Sequence, residues 1–426
     1  MIELLVTNAR LHGQKELVQI ACKEGKIIEV APKIERTNQT PKQTINANGY
    51  FVTPPFIDSH LHLDGTLSMG NPRINQSGTL LEGIKIWGEL KPTLTHEAIK
   101  ARAKKLLHWS IAKGNLIIRS HVDTTDESLM AVDVLLELRR EMKAYIDLQL
   151  VAFPQDGVLR SKNGMRLLTS ALDKGVDVVG GIPHFERTMS DGKESVRLLC
   201  ELAKKRGLMV DMHCDESDDP HSRHIETLAF QTQRLGLHGR VAASHLTSMH
   251  SMDNYYVSKL LPLMAEARIN CVCNPLVNMI IQGRHDTYPK RRGLMRVPEL
   301  MDAGINVSLG HDDVMDPWYP MGTHDMLEVA HMGVHALHMT GVDHQAALFD
   351  AITINGATTL NLEDYGLTPG CNADMVILQA ASKQECIRLR PARLFVIRKG
   401  RVISRMAESK ATVTIGSEKV DVDFCP

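Results

Sequence analysis

"FIDSHLHLD", residues 56 to 64, is an apolar run that ends in two histidines one residue apart, with an aspartate just after. On a β-strand the side chains at i and i+2 leave the same face, so His60 and His62 project together from the strand's end. That is a chelating arrangement if other parts of the chain complete it. Seven more short apolar runs follow before residue 313, several ending in a polar residue: "NLIIRSHVD", "IDLQLVAFPQ", "VDVVGGIP", "LMVDMHCDE", "RVAASH", "INCVCNP" and "INVSLGHDD". With His121, Phe153, Gly181, His213, His245 and Cys273 as markers, the steps are 32, 28, 32, 32 and 28 residues. Each step fits one strand plus one crossover helix. Eight parallel βα units close into a barrel more naturally than they stack into an open sheet.

A typical connection is "THEAIKARAKKLLHWSIAKG", residues 95 to 114. Thr95 can cap the helix, Ile99, Leu106, Leu107 and Ile111 share one face, and Gly114 can close the C-terminus. The interval after the first strand is longer and contains "NPRINQSGTLLEGIKIW", residues 71 to 87, which reads as a lid or pocket wall. Both ends of the chain alternate β-like runs with turns, from "LLVTNARL" to "INANGYFVTP" and from "NADMVILQA" to "ATVTIGSEKVDVDF". The expected organisation is therefore an α/β chain. Residues 51–369 form a (β/α)8 TIM-like barrel, and 1–50 plus 370–426 a small β-sandwich built from both termini.

Lysine plus arginine (49) balances aspartate plus glutamate (50), so no overall field favours a polyanion or an anionic membrane. "YPKRRG", residues 288 to 293, is the densest basic patch and reads as a solvated loop rather than a nucleic-acid footprint. No stretch reaches the roughly 18 apolar residues of a membrane span, and the N-terminus has no basic segment leading into a long apolar run. Eight cysteines, at 22, 200, 214, 271, 273, 371, 386 and 425, include no C-x-x-C pair and read as buried thiols in a reducing compartment. The expectation is a soluble, cytoplasmic protein that engages neither nucleic acid nor membrane.

In a parallel barrel the active site lies at the C-terminal ends of the strands, so the residues there form a defined set. They are His60 and His62 after strand 1, Gln155 after strand 3, His213 and Glu216 after strand 5, His245 after strand 6, and Asp312 and Asp313 after strand 8. Apolar strands do not ordinarily finish in so many imidazoles and carboxylates, because burying each unpaired costs several kcal/mol. Convergence on one ion supplies the missing partners. His121, which also ends a strand, reads as a structural histidine, and Cys214, facing away from His213, as core packing. The triplets "HFE" at 184 and "HIE" at 224 echo the H-x-E of the zinc deaminases that act on nucleosides, but no C-x-x-C accompanies them. They read as a loop and a helix surface.

The constellation resembles the amidohydrolase superfamily, with H-x-H after the first strand, histidines after the fifth and sixth, and aspartate after the eighth. Two-metal members carry a carboxylated lysine after the fourth strand; here that region is "VDVVGGIPHFE", without lysine. The resemblance therefore implies one divalent ion, Fe2+ or Zn2+, held by His60, His62, His213 and Asp312. "TPPFIDSHLHLD", "NQSGTLLEGI", "VAFPQDG", "DMHCDE", "NPLVNMIIQGRHDTYPKRRG" and "GHDDVMDPWYPMG" are similar to the bacterial cytosine deaminases. That similarity implies hydrolytic deamination of a free nucleobase, with Glu216, His245 and Asp312 as the proton-transfer groups. It places Gln155, Asp313, Trp318 and Phe153 around the ring, and a homo-oligomer as the working form. "GTLSMGNPRI" and Leu246 depart from the family at positions expected on the pocket edge, which points to 5-methylcytosine and 5-fluorocytosine as further substrates. The alternatives are a deaminase of isoguanine or an aminotriazine and, in a different class, a non-catalytic barrel-fold binding protein.

Overall fold

The computed structural model describes residues 1–35 and 40–424; Cys425, counted above, lies outside them. Each of the eight apolar runs is a strand: β1 (Phe56–Leu61), β2 (Asn115–Asp123), β3 (Asp147–Phe153), β4 (Val178–Gly181), β5 (Met209–Cys214), β6 (Val241–His245), β7 (Asn270–Cys273) and β8 (Asn306–Leu309). They pair in chain order, and every pairing is parallel. Leu61 bridges to Asp312 across the first and last strands. The Asp312 N–H donates to the His60 carbonyl at 2.8 Å and the His62 N–H to the Asp312 carbonyl at 2.9 Å. The sheet is thus drawn into a barrel, and the seam is sewn by the residues the sequence marks as a chelating set.

The strands are buried on both faces, as parallel strands covered by crossover helices must be. Between β1 and β2 lie two helices. In α1 (Leu80–Leu90) the Thr79 hydroxyl accepts from the Glu82 N–H, and Gly83, Ile86, Trp87 and Leu90 turn inward. In α2 (His96–Ala112) Thr95 caps the first turn, Ile99, Leu106 and Leu107 are buried, and Gly114 follows with φ +76°. Ile111 is only half-buried.

Two four-stranded sheets come from the ends of the chain. One orders Lys26–Ala31, Val18–Lys23, Leu4–Ala9 and Gln43–Asn46; the other orders Arg401–Arg405, Arg393–Arg398, Met375–Leu378 and Phe51–Thr53. They share a core that includes Leu4, Val6, Ile20, Val52, Ile377 and Ile397. Phe51–Thr53 pairs antiparallel with Met375–Leu378, so the N-terminal contribution runs past residue 50. Ala411–Ile415 and Glu418–Val422 pair only with each other, as a largely exposed hairpin. Among the described residues no helix is long and apolar enough to cross a membrane. The "YPKRRG" segment is a loop in which Tyr288 is 90% exposed and Arg291 pairs with Asp286.

Candidate active site

Four ligand-type atoms meet where β1, β5 and β8 end. His62 Nε2 lies 3.0 Å and His60 Nε2 3.3 Å from His213 Nε2, while Asp312 Oδ1 lies 3.3 Å from His60 Nε2 and 3.4 Å from His62 Nε2. Bonds of about 2.0–2.1 Å to one tetrahedral ion place ligand atoms about 3.3–3.4 Å apart. The protonation pattern agrees. Ser244 Oγ donates its only proton to Asp211 Oδ1 at 2.8 Å, so at 2.9 Å it can only accept from His60 Nδ1–H. His60 Nε2 therefore presents a lone pair to the cluster, the state a metal ligand needs. Arg119, fully buried, fixes the far side of Asp211 with a 2.8 Å contact. Among the described residues these buried lone pairs and carboxylate lack a positive partner, and the donor set fits a divalent cation, with His245 bringing a nitrogen within 4.8 Å of the ligand atoms of His60, His213 and Asp312.

The backbone is bent to make this possible. His245 has φ +74° and Asp312 φ +70°, left-handed values that non-glycine residues hold only where the surroundings over-determine them. His245 Nδ1 lies 3.3 Å from Glu216 Oε1 and 3.7 Å from Asp312 Oδ2, placing it beside the four-atom cluster. The ring is kept neutral, its pKa taken to about 3 by burial against the pull of Asp312. Burial and the Asp312 charge push Glu216 well above the usual carboxylate range. Burial opposes ionisation of Asp312 too, but His245 and His60 hold it well below its usual value. Two neighbouring carboxyls are thus driven apart, a pattern that suits one to hold a proton and the other to be ionised.

Above the cluster is a cavity with Gln155, Glu216 and Asp313 among its polar walls. Leu80 and Ile84 of α1, with Ile182, Phe185, Ile281 and Trp318, supply apolar walls. The segment read as a lid is thus a wall of this cavity. Asp313 faces Asp316, and burial and that neighbour push its carboxyl well above the usual carboxylate range. Asp316 Oδ1 accepts from the Trp318 and Tyr319 N–H groups, both at 2.9 Å, which fixes the turn carrying Trp318.

Several expectations are corrected. Phe153 is not on the cavity wall; its ring stacks on His213 at 4.0 Å and backs that side chain instead. Leu246, with φ +47°, turns into the barrel core, and residues 65–74 do not line the cavity either, so neither forms the pocket edge. His184 lines the cavity, and His224 is 1% exposed and bound to Asp215 at 2.7 Å rather than lying on a helix surface. His121 is buried against His60 at 4.0 Å between ring centres, and neither of its nitrogens has a hydrogen-bond partner among the described residues. The sequence reading missed Ser244, Asp211, Arg119 and Asn278. Asp211 and Arg119 were within its reach, since each stands two residues before a strand-end histidine and shares its face.

A family model described as "Amidohydrolase family" matches residues 43–416. The chain belongs to the amidohydrolase family. It is an enzyme, a hydrolase, so the reading as a non-catalytic binding protein is set aside. The 5-methylcytosine deaminase from Klebsiella pneumoniae, crystallised with 5-fluorocytosine, is 42% identical, with a TM-score of 0.92 over 95% of this chain and 98% of that one. This upholds the resemblance to cytosine deaminases. The N-isopropylammelide isopropyl amidohydrolase of Pseudomonas sp. strain ADP is 29% identical over 94% of this chain and 97% of its own. A pterin deaminase of Rhizobium rhizogenes is 29% identical over 83% and 80%.

Proposed function

We propose that the enzyme hydrolyses the exocyclic amine of cytosine and of 5-substituted cytosines such as 5-methylcytosine, giving uracil or its 5-substituted analogue and ammonia. The observation that carries this reading is the placement of Glu216 and Asp312 on either side of His245 Nδ1, at 3.3 and 3.7 Å, at the floor of a cavity with apolar walls. Burial and the Asp312 charge raise the pKa of Glu216, and nearby histidines lower that of Asp312. His60, His62, His213 and Asp312 hold one divalent ion, Fe2+ or Zn2+, which when bound brings the pKa of a water toward neutrality. Gln155 offers an amide donor and acceptor to the N–C=O edge of a pyrimidine, and Trp318 and Ile84 bound the ring. Glu216 delivers its proton to ring N3 as water adds at C4. Asp312 takes the water's proton while His245 positions the water. That proton reaches the amino group, and as the C4–N bond breaks and ammonia leaves, the proton left on the C4 oxygen returns to Glu216. Proton transfers of this kind contribute about 100- to 10,000-fold each.

The similarity to the 5-methylcytosine deaminase and the apolar walls support tolerance of a methyl group at C5. An aminotriazine is the second reading, favoured by the relative of the N-isopropylammelide enzyme. A homo-oligomer in the cytoplasm remains part of the proposal. Ammonia release from cytosine, 5-methylcytosine, isoguanine and an aminotriazine, measured with metal-loaded wild type and Glu216→Gln, tests it. Turnover of the cytosines that disappears in the variant is the expected result. Turnover of the triazine or isoguanine alone overturns the substrate, and an active Glu216→Gln overturns the proton route.

A further inference from the structure

Asn278 sits in α3 (Pro275–Ile281), the short helix that leaves β7, and is fully buried. Its Nδ2 lies 3.3 Å from Glu216 Oε1 and 3.1 Å from His245 Nδ1. Those two acceptors are themselves 3.3 Å apart. A carboxamide nitrogen carries two hydrogens, so one Asn278 amide serves both groups at once. Asn274, one turn earlier, brings its Nδ2 to 3.3 Å from the same imidazole nitrogen. The Oδ1 atoms of both asparagines have no hydrogen-bond partner among the described residues. Both amides therefore commit their donors to the proton-transfer pair and gain nothing local in return. A side chain kept for packing alone carries no reason for that choice, since a buried carbonyl without a partner costs about 1–3 kcal/mol.

We propose that Asn278 is the positioning residue that locks Glu216 and His245 into one working arrangement; this rests on the proton-transfer roles given above. With Nδ2 donating to both, the carboxyl cannot rotate away from the cluster without breaking a bond. The His245 ring is held as the Nε2–H tautomer, with the Nδ1 lone pair facing Glu216 and Asp312. Asn278 touches neither substrate nor ion and acts through the two groups it holds.

The test uses the zinc-loaded full chain. Asn278→Asp keeps the shape but removes both donors; Asn278→Ser keeps at most one and adds no charge. The Ser variant is expected to lose about 30-fold or more in kcat, in line with what small misplacements of reacting groups cost, with KM within threefold and about one zinc per chain retained. The Asp variant loses more. Independently of any substrate, the 15N spectrum of histidine-labelled protein shows His245 as the Nε2–H tautomer in the wild type and a changed tautomer balance in both variants. An unchanged His245 signal overturns the assignment, as does a kcat loss below threefold or one matched by loss of zinc. If the wild type turns over none of the four compounds, the deaminase reading fails, and the nitrogen spectrum still decides the role of Asn278.

Discussion

At the scale of single residues, the decisive arrangement is a relay that runs away from the cluster: His60 to Ser244 to Asp211 to Arg119. It sets which nitrogen of His60 carries the proton. Ser244→Ala removes the acceptor for Nδ1–H, freeing the ring to rotate and to adopt the wrong tautomer. Metal affinity is expected to fall about 10- to 100-fold, the usual cost of losing such a partner, in a competition titration against a chelator. An unchanged affinity rejects the relay as the orienting device. His60, His62, His213 and Asp312 were legible among the eight strand-end residues because apolar runs end there in polar side chains and i and i+2 share a face, and the resemblance to the amidohydrolases singled those four out as ligands. Ser244 and Asn278 were not, because their meaning lies in contacts across the barrel, 33 residues from Asp211 and 62 from Glu216, with no local pattern to announce them.

At the scale of elements, α1 carries two cavity walls, Leu80 and Ile84, and must lie close to the turn that carries Trp318. Gly83 permits that approach: a Cβ there clashes with the Trp318 indole, whereas a Cβ at the exposed Gly88, on the same helix, meets nothing within 4 Å. The two rings Trp87 and Trp318 lie 6.1 Å apart, and Trp87 Nε1 donates to Asp123 at 2.9 Å, so neither side can yield easily. Gly83→Ala is expected to raise KM at least about tenfold while zinc content stays at wild-type level. Gly88→Ala leaves KM unchanged and adds about 0.5–1 kcal/mol to helix stability, as glycine replacement in a helix interior does. Steady-state kinetics and thermal melts on the pair separate the close approach from a general effect of removing glycine. The existence of this lid helix could be read from an over-long first interval. Its docking could not, since a glycine in an amphipathic stretch looks the same whether it meets indole or solvent.

At the scale of the whole molecule, the barrel and the sheets built from the two termini are joined by ion pairs made by two buried arginines. Arg393, on the strand Arg393–Arg398, meets Asp325, and Arg398 meets Asp147 of β3 at 2.6 Å and Asp374 at 2.5 Å. The sequence showed that both ends are β-rich, because alternation is local; it could not show these pairs, whose members lie 68 and 251 residues apart. Asp325 also caps α4 (Met326–Ala336), accepting from the Leu327 N–H at 3.0 Å. Burial works to raise its pKa, but Arg393 and Lys113 outweigh it and hold the carboxyl below its usual value. A group depressed in the folded state contributes stability that is fully present above its unfolded pKa, about 3.9 for aspartate. That contribution is lost as pH falls through the folded value, so the window lies below about pH 4. Asn caps a helix as well as Asp does, so Asp325→Asn removes the charge and spares the cap. Leaving Arg393 buried without its partner costs about 3–5 kcal/mol. Thermal melts from pH 7 to pH 2 should show the variant melting several degrees below the wild type at neutral pH, with the gap closing as the wild type's own Asp325 is protonated. A gap of the same size at pH 2.5 and pH 7 means that shape or capping, not charge, ties the two parts together.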